Sequence, residues 1–256
     1  MRGTEDHDEN GASLCLGPGH PIRDGKVLMG KAKRSESGDV ILLKHTVAVK
    51  LRSEIVRGRL KPGEKIVEGG WAKVLGVSQA SVREAINMLA REGFVTKALG
   101  RSARVINLSA DDVRQIYELR GSLEGLAARL AAERGADPVE PEAELRIMET
   151  AAERDDLSEL LDANLRYHLS LCRLSGNSYL AEIAYPLLTP LFAFIRIRAI
   201  ASGQSASIWM KDFVPYRRIL ELIREGHGSV VEQYVEKVMI RIAATAYGSW
   251  ERKSGD

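Results

Sequence analysis

The stretch Val67–Ala90, VEGGWAKVLGVSQASVREAINMLA, decides how the rest of the chain is organised. It holds a short helical pattern from Glu68 to Leu75, a Gly76-Val77-Ser78 turn, and a second helical pattern opened by a polar cap. Ser78 is placed to cap that second helix, because its hydroxyl can accept a backbone N–H of the first turn. Val82, Ala85, Ile86 and Leu89 recur at helical spacing and form an apolar stripe, and Gly93 ends the pattern. Two helices joined by such a turn form a helix-turn-helix, whose second helix can lie in a DNA major groove.

Working outward, Val47, Leu51, Ile55 and Val56 predict a helix over 44–58, stopped by Gly58 and Pro62-Gly63. On the other side, Phe94–Thr96 and Arg104–Ile106 alternate like two short strands, with Gly100-Arg101-Ser102 as the hairpin tip. Strands in that place turn the helix-turn-helix into a winged helix spanning 40–108. Residues 1–39 mix Gly, Pro, Asp, Glu, Lys and Ser with no sustained period and read as a disordered tail.

Beyond residue 108 the strand signals vanish. Ser109 with Asp112 reads as a capping box. It opens a long helix with Val113, Ile116, Leu123, Leu126, Ala127 and Leu130 on one face. Further helices are expected at about 141–153, 156–174, 178–200, 210–225 and 228–248, separated by Gly, Pro, Asp or Ser. The fold class is therefore mainly α: an N-terminal winged helix-turn-helix followed, over 109–250, by an antiparallel all-α helical bundle.

Composition narrows the function classes. The formal net charge of +2 conceals an asymmetry. Residues 40–108 carry 13 Lys/Arg against 5 Asp/Glu, whereas residues 109–256 carry 18 against 23. A basic module joined to an acidic one implies that only the first meets a polyanion. No run reaches the roughly 18 apolar residues that span a membrane, and no signal peptide is visible at the N-terminus. Cys15 and Cys172 lack metal-type spacing, which fits a cytoplasmic protein without disulfides. The absence of G-x-S-x-G, H-E-x-x-H, C-x-x-C and P-loop patterns argues against an enzyme.

The candidate DNA contacts are Ser78, Gln79, Ala80, Ser81 and Arg83 at the start of the second helix, with Gly100 and Arg101 at the wing tip. Arg can pair with guanine, Gln with adenine, and Ser with bases or phosphates. Lys44, Lys61 and Lys73 would add sequence-independent phosphate attraction, unless they are ordinary surface charges. In the helical half, Asn164 and His168 share the apolar face of Leu157, Leu160, Leu161, Leu171 and Cys172. Inward polar groups need partners, so they are either satisfied by neighbours or line a pocket.

The run IVRGRLKPGEKIVE with LGVSQASVREAINMLAREGFV resembles the DNA-binding half of the GntR family. The continuation YELRGSLEGLAARLAAERG and RYHLSLCRLSGNSYL resembles the FCD effector domain of its FadR-type subfamily. The resemblance implies a homodimeric, cytoplasmic transcription regulator on palindromic double-stranded operator DNA, modulated by a small, carboxylate-bearing metabolite. It also marks departures. Gly69 and Gln79 stand where the family commonly has arginines that read DNA, and Ser81 replaces the usual Pro or Thr. Altered operator specificity is expected; a metabolite-binding protein with weakened or lost DNA binding is the alternative.

Asn164 and His168 match the first two metal positions of the FCD motif, but Tyr216 and a position near Val238 stand where histidines are expected. Two ligands do not make a tight first-row metal site, so no metal cofactor is expected. An acidic effector then needs another cation. Arg120 and Arg198 are the candidates, since a guanidinium can hold a carboxylate bidentately. For each arginine the competing reading is a buried structural ion pair, for example with Glu124 or Glu118. The expected effector-binding set is Arg120, Asn164, His168, Arg198 and Tyr216. The lever between the halves is expected at Asn107–Ala110.

Overall fold

The computed structural model describes residues 36–97, 102–210 and 212–250. Three helices open the described chain: α1 (Glu36–Val56), α2 (Glu68–Leu75) and α3 (Gln79–Arg91). They bury Val47, Leu51 and Ile55 of α1 against Val82, Ala85, Ile86 and Leu89 of α3. The apolar spacing that predicted each helix is thus the spacing of the core. The turn between α2 and α3 is set by Gly76, which ends α2 in the left-handed conformation with φ 65°. Ser78 then starts α3, its hydroxyl accepting from Ser81 N at 3.1 Å.

The wing is a two-stranded antiparallel sheet of β1 (Val95–Thr96) and β2 (Arg104–Val105), with Val95 opposite Val105 and Thr96 opposite Arg104. The segment before α2 adds to its outer edge: Val105 N donates to Glu64 O at 2.9 Å and Ile66 N to Ala103 O at 2.8 Å. The expected tip residues Gly100 and Arg101 lie outside the described residues, as does the expected tail up to residue 35.

The second half contains α4 (Ala110–Glu133), α5 (Val139–Glu153), α6 (Leu157–Leu174), α7 (Ser178–Ser202), α8 (Ala206–Trp209), α9 (Val214–Arg224) and α10 (Gly228–Trp250). The Ser109–Asp112 capping box that opens α4 is complete in both directions. Asp156 and Asn177 cap α6 and α7 in the same manner, each side chain accepting a first-turn N–H. Helices α4 and α10 share the most extensive contact in the molecule, and α5 lies along α6.

Three expectations are corrected. The first helix begins at Glu36, so residues 36–39 are helical and not part of a tail. The helix expected over about 210–225 starts later, at Val214: Met210 is extended, Asp212 accepts from Val214 N at 2.9 Å, and Pro215 stands in the first turn of α9. Pro cannot donate the N–H that would continue an earlier helix, but it fits a helix start. The buried face of α4 matches the expected one only in part: Val113 and Ala127 are buried as expected. Ile116, Leu123, Leu126 and Leu130 are only half-buried, whereas Arg120, Gly121, Glu124, Gly125 and Ala128 are buried. The small residues let α10 approach closely: a Cβ on Gly125 would stand 3.1 Å from the carbonyl oxygen of Glu232.

The two halves meet on α7. Gly93, at the end of α3, has φ +77°, and a Cβ there would stand 2.6 Å from the Thr189 carbonyl oxygen and 2.7 Å from the Pro190 backbone. Nearby, the Tyr185 hydroxyl donates to Arg91 O at 3.3 Å. Among the described residues, α7 is the one helix long and apolar enough to cross a membrane by composition. Here it is a core helix: half of that apolar window is buried inside the fold, and Pro186 and Pro190 interrupt its hydrogen bonding.

Candidate operator interface and effector cavity

The N-terminal end of α3 presents Ser78, Gln79, Ala80 and Arg83 to solvent, with Ser81 half-buried. The Ser78 and Ser81 hydroxyls are 2.9 Å apart, so the cap also steadies Ser81. Arg83 is engaged: its Nε donates to Glu68 Oε2 at 3.0 Å, and its Nη2 lies 2.9 Å from the same oxygen. Gln79 folds toward α2, where a Cβ on Gly69 would stand 3.0 Å from its Nε2. Lys61 and Lys73 are exposed, and Lys44 is half-buried. In the wing, Arg104 Nη1 donates to the Gly63 carbonyl at 2.8 Å, so this arginine fastens the sheet to the loop before α2.

In the helical half, Arg120, Asn164, His168, Arg198 and Tyr216 line one cavity of about 710 Å³. They come from α4, α6, α7 and α9, so no single segment builds the site. The Tyr216 hydroxyl donates to Asn164 Oδ1 at 3.2 Å. The His168 and Tyr216 rings are 5.9 Å apart, and the His168 and Phe192 rings 5.4 Å.

Arg120 and His168 are joined by Glu124, fully buried, which sequence reasoning raised only as a possible partner of Arg120. Arg120 Nε donates to its Oε1 at 2.7 Å, and His168 Nδ1 lies 2.7 Å from its Oε2. Both readings of Arg120 therefore apply at once: it is a structural ion pair and a cavity wall. Its guanidinium carbon sits 4.9 Å from the Tyr117 ring centre and 5.1 Å from that of Phe192. Burial works against the charge on Glu124, but Arg120 and His168 outweigh it and hold the carboxyl at about 2. Burial pushes His168 below its ordinary value, with Glu124 opposing. A neutral imidazole donating through Nδ1 leaves Nε2 as an acceptor. Burial likewise keeps the Tyr216 phenol protonated by raising its pKa. Arg198 is half-buried, and burial lowers its pKa.

Apart from Val238, the other lining residues carried no separate sequence signal. Trp209 and Met210 belong to the segment between α7 and α9, and Val238, Met239 and Arg241 belong to α10. A second, smaller groove of about 340 Å³ lies where the halves meet. Arg52, Glu92 and Phe94 line it from the winged-helix side, and Asp162, Thr189 and Phe192 from the bundle. Phe192 borders both spaces.

Comparison with known proteins decides the family. Residues 43–105 match the gntR family of bacterial regulatory proteins, and residues 115–240 match the FCD domain. YdhC, an uncharacterized HTH-type transcriptional regulator of Bacillus subtilis strain 168, is 30% identical over 193 residues, covering 72% of this chain and 82% of its own. This chain belongs to the GntR family of transcriptional regulators.

A second GntR-family relative is the probable D-xylose utilization operon transcriptional repressor of Paenarthrobacter nicotinovorans. It is 29% identical over 215 residues, with 81% of this chain and 92% of that protein covered. The solved structure of E. coli McbR/YncC superposes with a TM-score of 0.61 at 21% identity, spanning 81% of this chain and 98% of that one. It shows the shared fold. Members of the family are non-enzymatic DNA-binding proteins, and this GntR-family chain couples such a reading head to an FCD domain.

The donor set does not fit the metal that the FCD motif leads one to expect. His168 Nε2 and Asn164 Oδ1 are the surviving candidates at the motif positions, and Asn164 Oδ1 already accepts from Tyr216. Tyr216 is a protonated phenol and Val238 is a hydrocarbon. Among the described residues, no group of three His, Cys, Asp or Glu side chains could hold a metal ion.

Proposed function

We propose that this GntR-family regulator binds a palindromic operator as a homodimer, and that a small metabolite carrying a carboxylate occupies its FCD cavity without a metal ion. The observation that carries the reading is the convergence of Arg120, Arg198, Asn164, His168 and Tyr216 on one cavity. Two guanidinium groups supply the positive charge that a metal would otherwise bring to an acid. The winged helix over 40–108 is the reading head and the bundle over 109–250 is the sensor. Ser78, Gln79, Ala80, Ser81 and Arg83, with Gly100 and Arg101, are the residues proposed to meet DNA. A cytoplasmic protein is the setting such a role requires.

The mechanism needs two states with different operator affinity. Contact between Gly93 and α7 gives the sensor a direct mechanical path to the end of α3. Asn107–Ala110 is a second route, this one covalent, since it joins β2 to α4. A guest that shifts α7 would tilt α3 relative to its counterpart in the dimer and change the half-site spacing.

Gel shifts with promoter DNA at two salt concentrations test this reading. A regulator gives a sequence-selective shift that weakens with salt. A shift without sequence preference would favour the alternative, a metabolite-binding protein whose DNA module has weakened. Elemental analysis of protein purified without added metal should find no stoichiometric zinc or nickel.

A further inference from the structure

The cavity wall is divided between a small polar cluster and a long apolar surface. The polar cluster is already cross-bonded. Glu124 takes Arg120 Nε and His168 Nδ1, and Asn164 Oδ1 takes the Tyr216 hydroxyl. Arg120 is held through Nε by Glu124 and also bonds the Tyr117 phenol, and it and Arg198 both line the space. Such a cluster can receive one compact anionic group.

Most of the rest of the wall is hydrocarbon and aromatic, with Gln204, Asp212 and Arg241 also on it. Ile208, Trp209 and Met210 come from the segment between α7 and α9, and Val238, Met239 and Ile242 from α10. The partner elements hold these side chains in place: Trp209 and Met210 pack against the buried cluster of Ala151, Leu160, Leu161, Ala199 and Ala206. Asp155 Oδ1 fixes that segment by accepting from Ala206 N at 2.6 Å. At about 710 Å³ the space is within the roughly 300–1,000 Å³ that houses drug-sized ligands, and far larger than a two- to four-carbon acid fills.

We infer that the effector is a monocarboxylate with a single bulky apolar body, aromatic or medium-chain aliphatic, and not a sugar acid or a short hydroxy acid. This rests on the reading of the cavity as the effector site. The carboxylate is held by Arg120 and Arg198, and the body lies against Trp209, Met210 and the α10 side chains. A polyhydroxylated acid would satisfy the charge but set most of its hydroxyls against the hydrocarbon of Ile208, Trp209, Met210, Val238, Met239 and Ile242, where they find no partners, which disfavours it.

Titration calorimetry of the full chain against four acids tests the inference: 4-phenylbutyrate, octanoate, D-gluconate and glycolate. Neutral 4-phenylbutanol serves as the control for charge. The expected result is that 4-phenylbutyrate or octanoate binds roughly 10- to 100-fold more tightly than D-gluconate or glycolate. Trp209→Ala and Arg198→Gln should each weaken that binding at least about tenfold, with unfolding curves confirming that both variants fold. D-Gluconate or glycolate binding in preference would overturn the apolar-body inference and leave the effector-site reading standing. Equal binding of 4-phenylbutanol would overturn the carboxylate. Failure of all five compounds to bind at millimolar concentration would overturn both the inference and the effector-site reading beneath it.

Discussion

The side-chain amide of Gln79 occupies the space beside Gly69: a Cβ on the glycine would stand 3.0 Å from Gln79 Nε2. The two positions at which this chain departs from the usual arginines of its family are therefore neighbours, and each shapes the other. With no side chain at 69, Gln79 can lie back against α2. We expect Gly69→Ala to push the amide outward at small cost, because the end of a long side chain moves easily. The helix itself should gain up to about 1 kcal/mol, since glycine is a poor helix residue. Selection from random operator DNA should return a different consensus for this variant. An identical consensus would mean that Gln79 does not read bases.

Arg83 is held by Glu68 from the preceding helix, 2.9 Å away. Reaching DNA requires this pair to open or turn. Both side chains are partly or largely exposed, so the pair is a weak clamp. Glu68→Gln should raise operator affinity about two- to threefold at low salt, and the gain should shrink as salt rises. Arg83→Ala should lose affinity in the same gel-shift titration. Unchanged affinity in Arg83→Ala would remove this residue from the interface.

Acid should loosen the sensor in two stages. His168 has a folded pKa below its ordinary 6.5, because burial disfavours the charged ring. Glu124 is held at about 2, below its ordinary 4.5. A depressed folded pKa means that the unfolded chain binds the proton first as pH falls. Stability is therefore complete above about pH 7, declines from about 6.5 as His168 is protonated on unfolding, and declines again from about 4.5 toward 2 through Glu124. Melting temperature against pH checks this, and His168→Gln should abolish the upper stage.

Removing Glu124 should do more than remove a titrating group. Glu124→Ala strands Arg120, which is buried with it. Breaking one side of a buried pair costs about 3–5 kcal/mol. Chemical denaturation of Glu124→Ala and of the double variant Glu124→Ala/Arg120→Met separates the two effects. The double variant should recover part of the loss, because no uncompensated charge remains.

Gly93→Ala tests the seam between the halves. The substitution meets a φ of +77° and a contact of 2.6 Å with the Thr189 carbonyl. The left-handed backbone alone costs about 1–2 kcal/mol, and the clash forces α3 and α7 apart. We expect a lower melting temperature and an operator affinity that no longer responds to the effector. A full effector response in this variant would place the coupling elsewhere.

Much of this molecule was legible in the sequence because its helices announce themselves at both ends. Ser78, the Ser109–Asp112 box and Gly76 are local signals, and the structure uses each where the sequence places it. The same holds for Asn164 and His168, whose four-residue spacing on an apolar stripe marked them as inward. What escaped was non-local. Glu124 looked like one more charge on a long amphipathic helix, because its partner His168 is 44 residues away. Part of the buried face of α4 escaped for a related reason. Beyond Val113 and Tyr117, its buried face is made of Gly, Ala and a paired Arg and Glu, which hydrophobic periodicity scores largely as surface, and the approach of α10 makes it core. Trp209 fell between the expected helices and Met210 was assigned to the start of the next one, whereas both belong to the segment between α7 and α9.

Phe192 gives the sensor a two-way accounting. One face of its environment is the large cavity, and the other is the groove against Arg52, Glu92 and Phe94 of the DNA-binding half. A guest that moves this ring alters the groove, and a tilt of the winged helix that closes the groove alters the cavity. Binding equilibria coupled through a shared wall are symmetric: the factor by which the metabolite changes operator affinity is the factor by which the operator changes metabolite affinity. A promoter-bound molecule and a free one in the same cell would then respond at different metabolite concentrations, so the sensitivity of the response is set partly by the DNA itself.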